Sequence, residues 1–467
     1  MNELTLQLDV SSKVHLYQQI YEYIKDEIRR GKLLTDEKLP STRALAEYLQ
    51  ISRSTVDLAY EQLLSEGYIQ ARPCCGYFVC QIEDLFTIPE KERVQTHEVQ
   101  RPEQTYEIDF ALNGIDMEGF PFATWKSVYK NTLSNHSDEI FLMGSAQGEP
   151  TLRETISRYL HASRGVNCTP DQIVIGAGND YLLILLEKIL GRNRKIAMED
   201  PSYKRAYRAF SSCHYDMCMV DMDRNGMRVE TLQESGADIA YVMPSHQYPM
   251  GIVMPIGRRM ELLKWATERE ERYIVEDDYD SEFRYKGKPI PSLQASDKHG
   301  KVIYIGTFSK SIAPAIRVSY MVLPERLLES YEQNAGFMAS TVSRTDQMML
   351  NDFIGEGYFE RHLNKMRKRY KAKHDLLLGA LEPFEKRFRV TGENAGLHIL
   401  LHAKDNSDEK ILLQQAERAG VRVHGLTEAF IQRADRPEKA VILLGYGGLS
   451  EKEIIAGIEK LREGWNI

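Results

Sequence analysis

Residues 302–320 read VIYIGTFSKSIAPAIRVSY. The opening run Val302-Ile303-Tyr304-Ile305, β-branched and aromatic, predicts a buried strand. Directly behind it stand Gly306-Thr307-Phe308-Ser309-Lys310, and Arg317 follows seven residues beyond the lysine. Two hydroxyls, a lysine and an arginine gathered at one turn suit a phosphate, with the lysine amine free to form an imine. A single lysine is ordinarily a solvated surface residue. Its company at a strand end is what sets Lys310 apart.

Similar short apolar runs lie upstream: Ile173-Val174-Ile175, Ile239-Ala240-Tyr241-Val242 and Tyr273-Ile274-Val275. They alternate with amphipathic helical stretches from Asp109 onward, which predicts an α/β domain built on a largely parallel sheet. Ligands of such sheets bind at the carboxyl ends of the strands. Behind the first run, Gly176-Ala177-Gly178-Asn179-Asp180 leads into an apolar helix from Tyr181 to Leu190. A glycine turn feeding a helix start offers backbone N–H groups to a phosphate. The dinucleotide fingerprint is excluded, because Tyr181 stands where its third glycine is required. Behind Tyr273-Ile274-Val275 comes the acidic run Glu276-Asp277-Asp278-Tyr279-Asp280, whose carboxylates could bind a metal, hold a pyridinium nitrogen or cap a helix.

The first eighty residues follow a different plan. Leu16, Ile20, Ile24 and Ile28 form one helical stripe that stops at Gly31. Pro40 and Ser41 announce a second helix with Leu45, Ala46 and Leu49 on its inner face. After only Gln50 and Ile51, Ser52 starts a third with Val56, Ala59, Tyr60, Leu63 and Leu64 inward and Gly67 at its left-handed end. Residues 68–72 and 77–79 then read as a hairpin around Pro73 to Gly76. Helix, helix-turn-helix and wing together predict DNA binding, the third helix entering the major groove by its N-terminus. Arg53, Ser54 and Thr55 lie at that terminus. Arg53 is expected at a base edge or phosphate, with Arg43 and Thr55 fixing register on phosphates. A small protein-interaction module with exposed arginines is the competing reading.

Bulk properties set limits on both readings. A chain of 467 residues is too long for one core, and no apolar run is long enough to cross a bilayer, nor does the start resemble a leader peptide. A cytoplasmic protein without membrane contact is expected. Net charge is −8, and residues 1–80 hold nine Lys+Arg against eleven Asp+Glu, or −2, so charge alone would not point to nucleic acid. Six cysteines lack paired spacing, so reduced thiols and no metal centre are expected. Residues 82–107 show no periodicity, and 81–107 reads as a linker between a 1–80 module and a 108–467 domain.

The run LPSTRALAEYLQISRSTVDLAYEQLLSEGYIQARPCCGYFV, residues 39–79, resembles the winged helix of GntR-type bacterial regulators. Cys74-Cys75-Gly76 stands where that family usually has a turn of small residues. The large domain resembles the fold-type I pyridoxal-phosphate enzymes, and the whole chain resembles the MocR/GabR subfamily. The resemblance implies an aminotransferase-like α/β domain with a smaller C-terminal α+β subdomain, pyridoxal 5'-phosphate as cofactor and a homodimer. It implies Lys310 as the Schiff-base lysine, Arg317, Thr307 and Ser309 on the phosphate, and Asp277 on the pyridine nitrogen. Tyr279 is implied at the phenolic oxygen and Tyr203 stacked on the ring, with Gly178 and Asn179 supplying the glycine turn.

The sequence departs from that pattern in three places. Tyr248, in PSHQYPMG, stands where most such aminotransferases carry an asparagine, and Asp180 stands where relatives often have glutamine. Arg205 matches an arginine that grips the effector carboxylate in the GABA-responsive regulator, but its partner arginine is replaced around Glu428, so a GABA response does not carry over. The leading expectation is a regulator that binds a double-stranded DNA operator and senses a small amino compound, or the cofactor itself, at Lys310. A working aminotransferase with an accessory DNA-binding module is the alternative, and a redox sensor using Cys74, Cys75 or Cys80 a third.

Overall fold

The computed structural model describes residues 6–81, 106–136, 138–285, 290–432 and 439–467. The chain forms two compact units, Met1–Glu103 and Gln104–Ile467. Most of the stretch expected to be a linker, 82–105, lies outside the described residues.

The first unit consists of α1 (Leu16–Arg29), α2 (Thr42–Leu49), α3 (Arg53–Ser65), β1 (Ile69–Arg72) and β2 (Gly76–Val79). Ser41 caps α2 by accepting from the Ala44 amide at 3.1 Å, and Gln50 closes that helix in the left-handed region at φ 54°. Ile20, Val56, Ala59, Tyr60 and Leu63 are fully buried in the core between α1 and α3. Removing such a large aliphatic side chain from water stabilises the unit by about 1.5–3 kcal/mol. Polar ties fix the helices: the Tyr60 hydroxyl donates to Pro40 O at 3.0 Å, and Tyr21 donates to Glu66 at 2.6 Å. Gly67, at φ 77°, turns the chain from α3 into β1. The two strands pair antiparallel, with Arg72 opposite Gly76, and Lys38 bridges to Phe78 on the other edge of β2.

The second unit is built on a seven-stranded sheet. Its order is Ile173–Gly176, Ser319–Val322, Val302–Thr307, Tyr273–Asp278, Ile239–Val242, Lys195–Glu199 and Asp216–Val220. All four strands expected from sequence are present. Four of the neighbouring pairings are parallel, but Ser319–Val322 is antiparallel to both strands that flank it. The reason is chain length: the return from Thr307 through the short turn at Pro314–Ile316 leaves no room for a helical crossover. A second, four-stranded antiparallel sheet joins Phe388–Thr391, His398–Ala403, Val441–Gly445 and His424–Gly425. Helices Tyr358–Ala380, Glu409–Arg418 and Glu451–Gly464 pack over it around Phe388, Leu401, Ile442 and Trp465. This is the smaller C-terminal subdomain. The strand Ile108–Asp109 pairs in parallel with Val421–Arg422, so the start of this unit is stitched to that subdomain. Among the described residues no helix is long and apolar enough to cross a membrane.

Candidate cofactor and ligand site

Asp277 is not beyond its strand but inside the last turn of pleat of Tyr273–Asp278, and it is 2% exposed. Thr307 closes the neighbouring strand, and Ser309 and Lys310 follow it. Across the sheet, the helix Asn179–Leu190, with Gly178 as its N-cap, begins two residues earlier than its apolar pattern indicates. These elements meet at the carboxyl ends of the strands around a cavity of about 300 Å³. Asn179, Tyr203, Asp277, Tyr279, Thr307, Ser309, Lys310 and Arg317 all line it, as do Arg205 and Tyr248. Gly178 stands directly behind the arginine: its φ is 95°, and a Cβ there would collide with the Arg317 guanidinium. Only glycine adopts that backbone cheaply.

The acidic run of the sequence resolves into separate tasks. Glu276 accepts from the Leu293 and Gln294 amides at 2.7 and 2.9 Å, a turn cap. Asp278 holds Arg164 at 2.8 Å and Asp280 holds His246 at 2.9 Å. Asp277 alone faces the cavity, and accepts from Tyr241 at 2.5 Å and Asn179 at 3.1 Å. Among the described residues no group of acids, histidines or cysteines is placed to hold a metal ion. Burial, reinforced by the nearby Asp278 and Asp280, raises the Asp277 carboxyl to about 7. Such a group gains from a cationic partner in the cavity.

Burial also pushes the Lys310 ammonium down, which favours the neutral, nucleophilic amine. Its Nζ donates to Leu112 O at 2.8 Å. Thr307 Oγ1 accepts from the Ser319 hydroxyl at 2.8 Å and from the Ser309 amide at 3.2 Å. Arg317, at φ 50° in the left-handed region, donates to Ala177 O at 3.2 Å and lies 3.8 Å from Asp180. The Asp180 carboxylate therefore lies against the arginine instead of turning away. Tyr203 and Tyr248 meet edge to face, their ring centres 5.9 Å apart. A buried carboxyl raised by desolvation, an arginine and hydroxyls at a helix start, an apolar wall and a depressed lysine fit pyridoxal phosphate.

A second cavity of about 380 Å³ adjoins the first and shares Leu112, Asn113, Tyr203, Arg205 and Tyr248 with it. Arg422, His424 and Glu428 line its far part. Arg422 is paired with Asp109 at 3.5 Å, while Glu428 is exposed. Sequence reasoning found Tyr248 and Arg205 but not His246, Tyr241, Leu112 or His398. His246 follows a strand end and could have been found by the same rule that singled out Lys310. Tyr241, inside an apolar run, carries no such signal.

In the first unit Arg43, Arg53 and Ser54 are exposed and Thr55 is half-buried, at the starts of α2 and α3. Arg53 lies 3.4 Å from Asp57 one turn along α3, and the Ser52 and Ser54 hydroxyls are 2.7 Å apart. The first turn of α3 holds no acidic residue and no side-chain cap on its amides, and of these the Thr55 N–H donates to Ser52 O at 3.1 Å, which leaves the Arg53 and Ser54 N–H groups for an anion. All six cysteines are free, Cys74 and Cys75 exposed in the wing turn.

Two family models match the chain: bacterial regulatory proteins of the gntR family over residues 16–79, and aminotransferase class I and II over 108–432. The HTH-type transcriptional regulator YdeL of Bacillus subtilis is 39% identical over the whole of both chains. The probable rhizopine catabolism regulatory protein MocR of Rhizobium meliloti is 32% identical, over 98% of this chain and 95% of its own. Among solved structures, kynurenine aminotransferase of Pyrococcus horikoshii superposes with a TM-score of 0.69 at 27% identity, covering 78% of this chain and 91% of its own. With a helix-turn-helix unit ahead of an aminotransferase fold, and with relatives of the same two-part build along its full length, the chain belongs to the gntR-type transcription regulators that carry an aminotransferase class I and II domain.

Proposed function

We propose that this protein holds pyridoxal 5'-phosphate at Lys310, reads a small amino compound there, and as a homodimer alters its grip on a double-stranded operator in the cytoplasm. Residues 1–80 are the DNA-binding module, 81–107 the connection and 108–467 the ligand-reading domain. The observation that carries the reading is the convergence of Lys310, Asp277 and Arg317 on one cavity in a chain that also has a winged helix.

Bound in that cavity, the cofactor supplies an aldehyde that exchanges between amines. The chain's own residues do the rest. Asp277 ionises against the pyridine nitrogen and holds its proton. Arg317, Thr307, Ser309 and the Asn179 amide would take the phosphate, with Gly178, whose own N–H donates to Gly176 O at 2.8 Å, giving the backbone room to approach. Tyr203 provides a face for the ring and Tyr279 a hydroxyl for its phenolic oxygen. Arg205, at the junction of the two cavities, takes a carboxylate of the incoming compound. Regulation requires that this compound bind two arrangements of the domain with different affinity.

The test is a titration of the cofactor-loaded protein with amines and amino acids, followed by absorption and by operator binding. A visible band that is absent in Lys310→Ala, and that one compound shifts while changing operator affinity without release of keto acid, is the expected result. Sustained keto-acid production would make the protein a working aminotransferase instead.

A further inference from the structure

Beside the cofactor cavity lies a buried pair that the proposed chemistry does not use. His246 Nδ1 is 2.9 Å from Asp280 Oδ2 and 3.1 Å from the Tyr279 hydroxyl oxygen. Both His246 and Asp280 are nearly inaccessible, at 2% and 3% exposed. A carboxylate only accepts hydrogen bonds, so the Nδ1 proton lies toward Asp280. An Nδ1 that carries this proton cannot also accept one from Tyr279. It can share its N–H with the tyrosine oxygen, which strengthens that hydroxyl as a donor elsewhere. His246 Nε2 is buried without a partner, which costs less for a lone pair than for a second N–H.

From this geometry we infer that His246, held by Asp280, is a positioning residue that reserves the Tyr279 proton for the ligand side of the cavity. The inference rests on the cofactor reading above, in which that proton meets the phenolic oxygen. The surroundings keep the pair in place. A Cβ at Gly396 would collide with the His246 ring and lie 2.9 Å from Asp280 Oδ2, and Gly396 has φ 78°. Gly396 precedes the strand His398–Ala403, so the smaller subdomain closes over the pair. The charged and titratable neighbours are Lys310, Asp277, Tyr248, His398, Tyr285 and Tyr446, and the Asp280 carboxylate also acts on the Tyr279 hydroxyl, so the His246 N–H competes with that hydroxyl for the carboxylate. The His398 ring is 5.4 Å from that of His246, its Nε2 lies 2.9 Å from Pro249 O, and burial lowers it to about 4.

The experiment is a pH titration of the visible absorption band of the cofactor-loaded full chain. A hydroxyl donating to the phenolic oxygen favours its ionised form, so Tyr279→Phe raises the midpoint. His246→Leu is expected to raise it too, by about one pH unit, and to add nothing in the Tyr279→Phe background. His246→Asn, which keeps an N–H near the Nδ1 position, restores the wild-type midpoint. Gly396→Ala moves the ring without altering any titratable group and shifts the midpoint the same way, which keeps the test open if His246→Leu does not fold. A wild-type midpoint in folded His246→Leu, or shifts that add to that of Tyr279→Phe, overturns the inference. A wild-type protein that forms no Lys310-dependent band overturns the cofactor reading itself.

Discussion

Arg317 Nη2 and Asp180 Oδ2 stand 3.8 Å apart at the mouth of the same cavity, each about half exposed. The Arg317 guanidinium is thus partly neutralised, and a carboxylate lies where a dianion would approach it. Asp180→Asn is expected to tighten cofactor binding. With this much solvent around both groups the gain stays near ~1 kcal/mol or less, up to about fivefold in Kd. Equilibrium titration of the cofactor-free protein checks it, and weaker binding would show that Asp180 orients the arginine.

The Asp277 carboxyl lies well above its ordinary 3.8, at about 7, because of burial. A folded acid with a raised pKa binds more protons than the unfolded chain between those two values, so cofactor-free stability falls as pH rises from about 4 to 7. Glu199, Glu276 and Glu282 are raised to about 7 for the same reason and contribute in the same direction. Asp277→Asn is expected to flatten part of the fall in Tm across this window. It also weakens cofactor binding by tenfold or more, since the pyridinium loses its counter-charge.

Arg53→Ala should separate DNA affinity from stability. The side chain is exposed and its pair with Asp57 is a surface contact, worth at most about 0.5 kcal/mol. Operator binding is expected to drop by tenfold or more with Tm unchanged, and the salt dependence to become shallower if the lost contact is to phosphate. Fluorescence anisotropy over a salt series reads both.

Leu63→Ala acts the other way. Leu63 is fully buried between α1 and α3, and its truncation costs about 2–5 kcal/mol. The first unit should melt earlier in calorimetry, with the cofactor band of the second unit retained.

Arg205→Ala is expected to weaken the response to amino compounds bearing a carboxylate by tenfold or more. The absorption band of the loaded protein should not move, because Arg205 is exposed where the two cavities join. Glu428→Gln, in the adjoining cavity alone, should alter preference between acidic and basic compounds without changing cofactor affinity.

The elements and the local chemistry were written in the chain itself. Helical stripes, Ser41, Gly67 and the apolar runs at 173, 239, 273 and 302 depend on neighbours a few residues away, and each produced the expected helix, cap or strand. So did the grouping of Thr307, Ser309, Lys310 and Arg317, because one short stretch between two neighbouring strands holds them all. What the tertiary structure decided is whatever depends on contacts between distant segments. The sheet order set Tyr241 against Asp277, and put the glycine turn at 176–178 across from Arg317. Packing brought Leu112 to Lys310 from 198 residues away, and Gly396 onto the His246–Asp280 pair. The direction of Ser319–Val322 followed from a return too short for a crossover. Periodicity reports which face of an element is apolar, but burial, and with it the rise of Asp277 and the fall of Lys310, exists only once remote surfaces exclude water together.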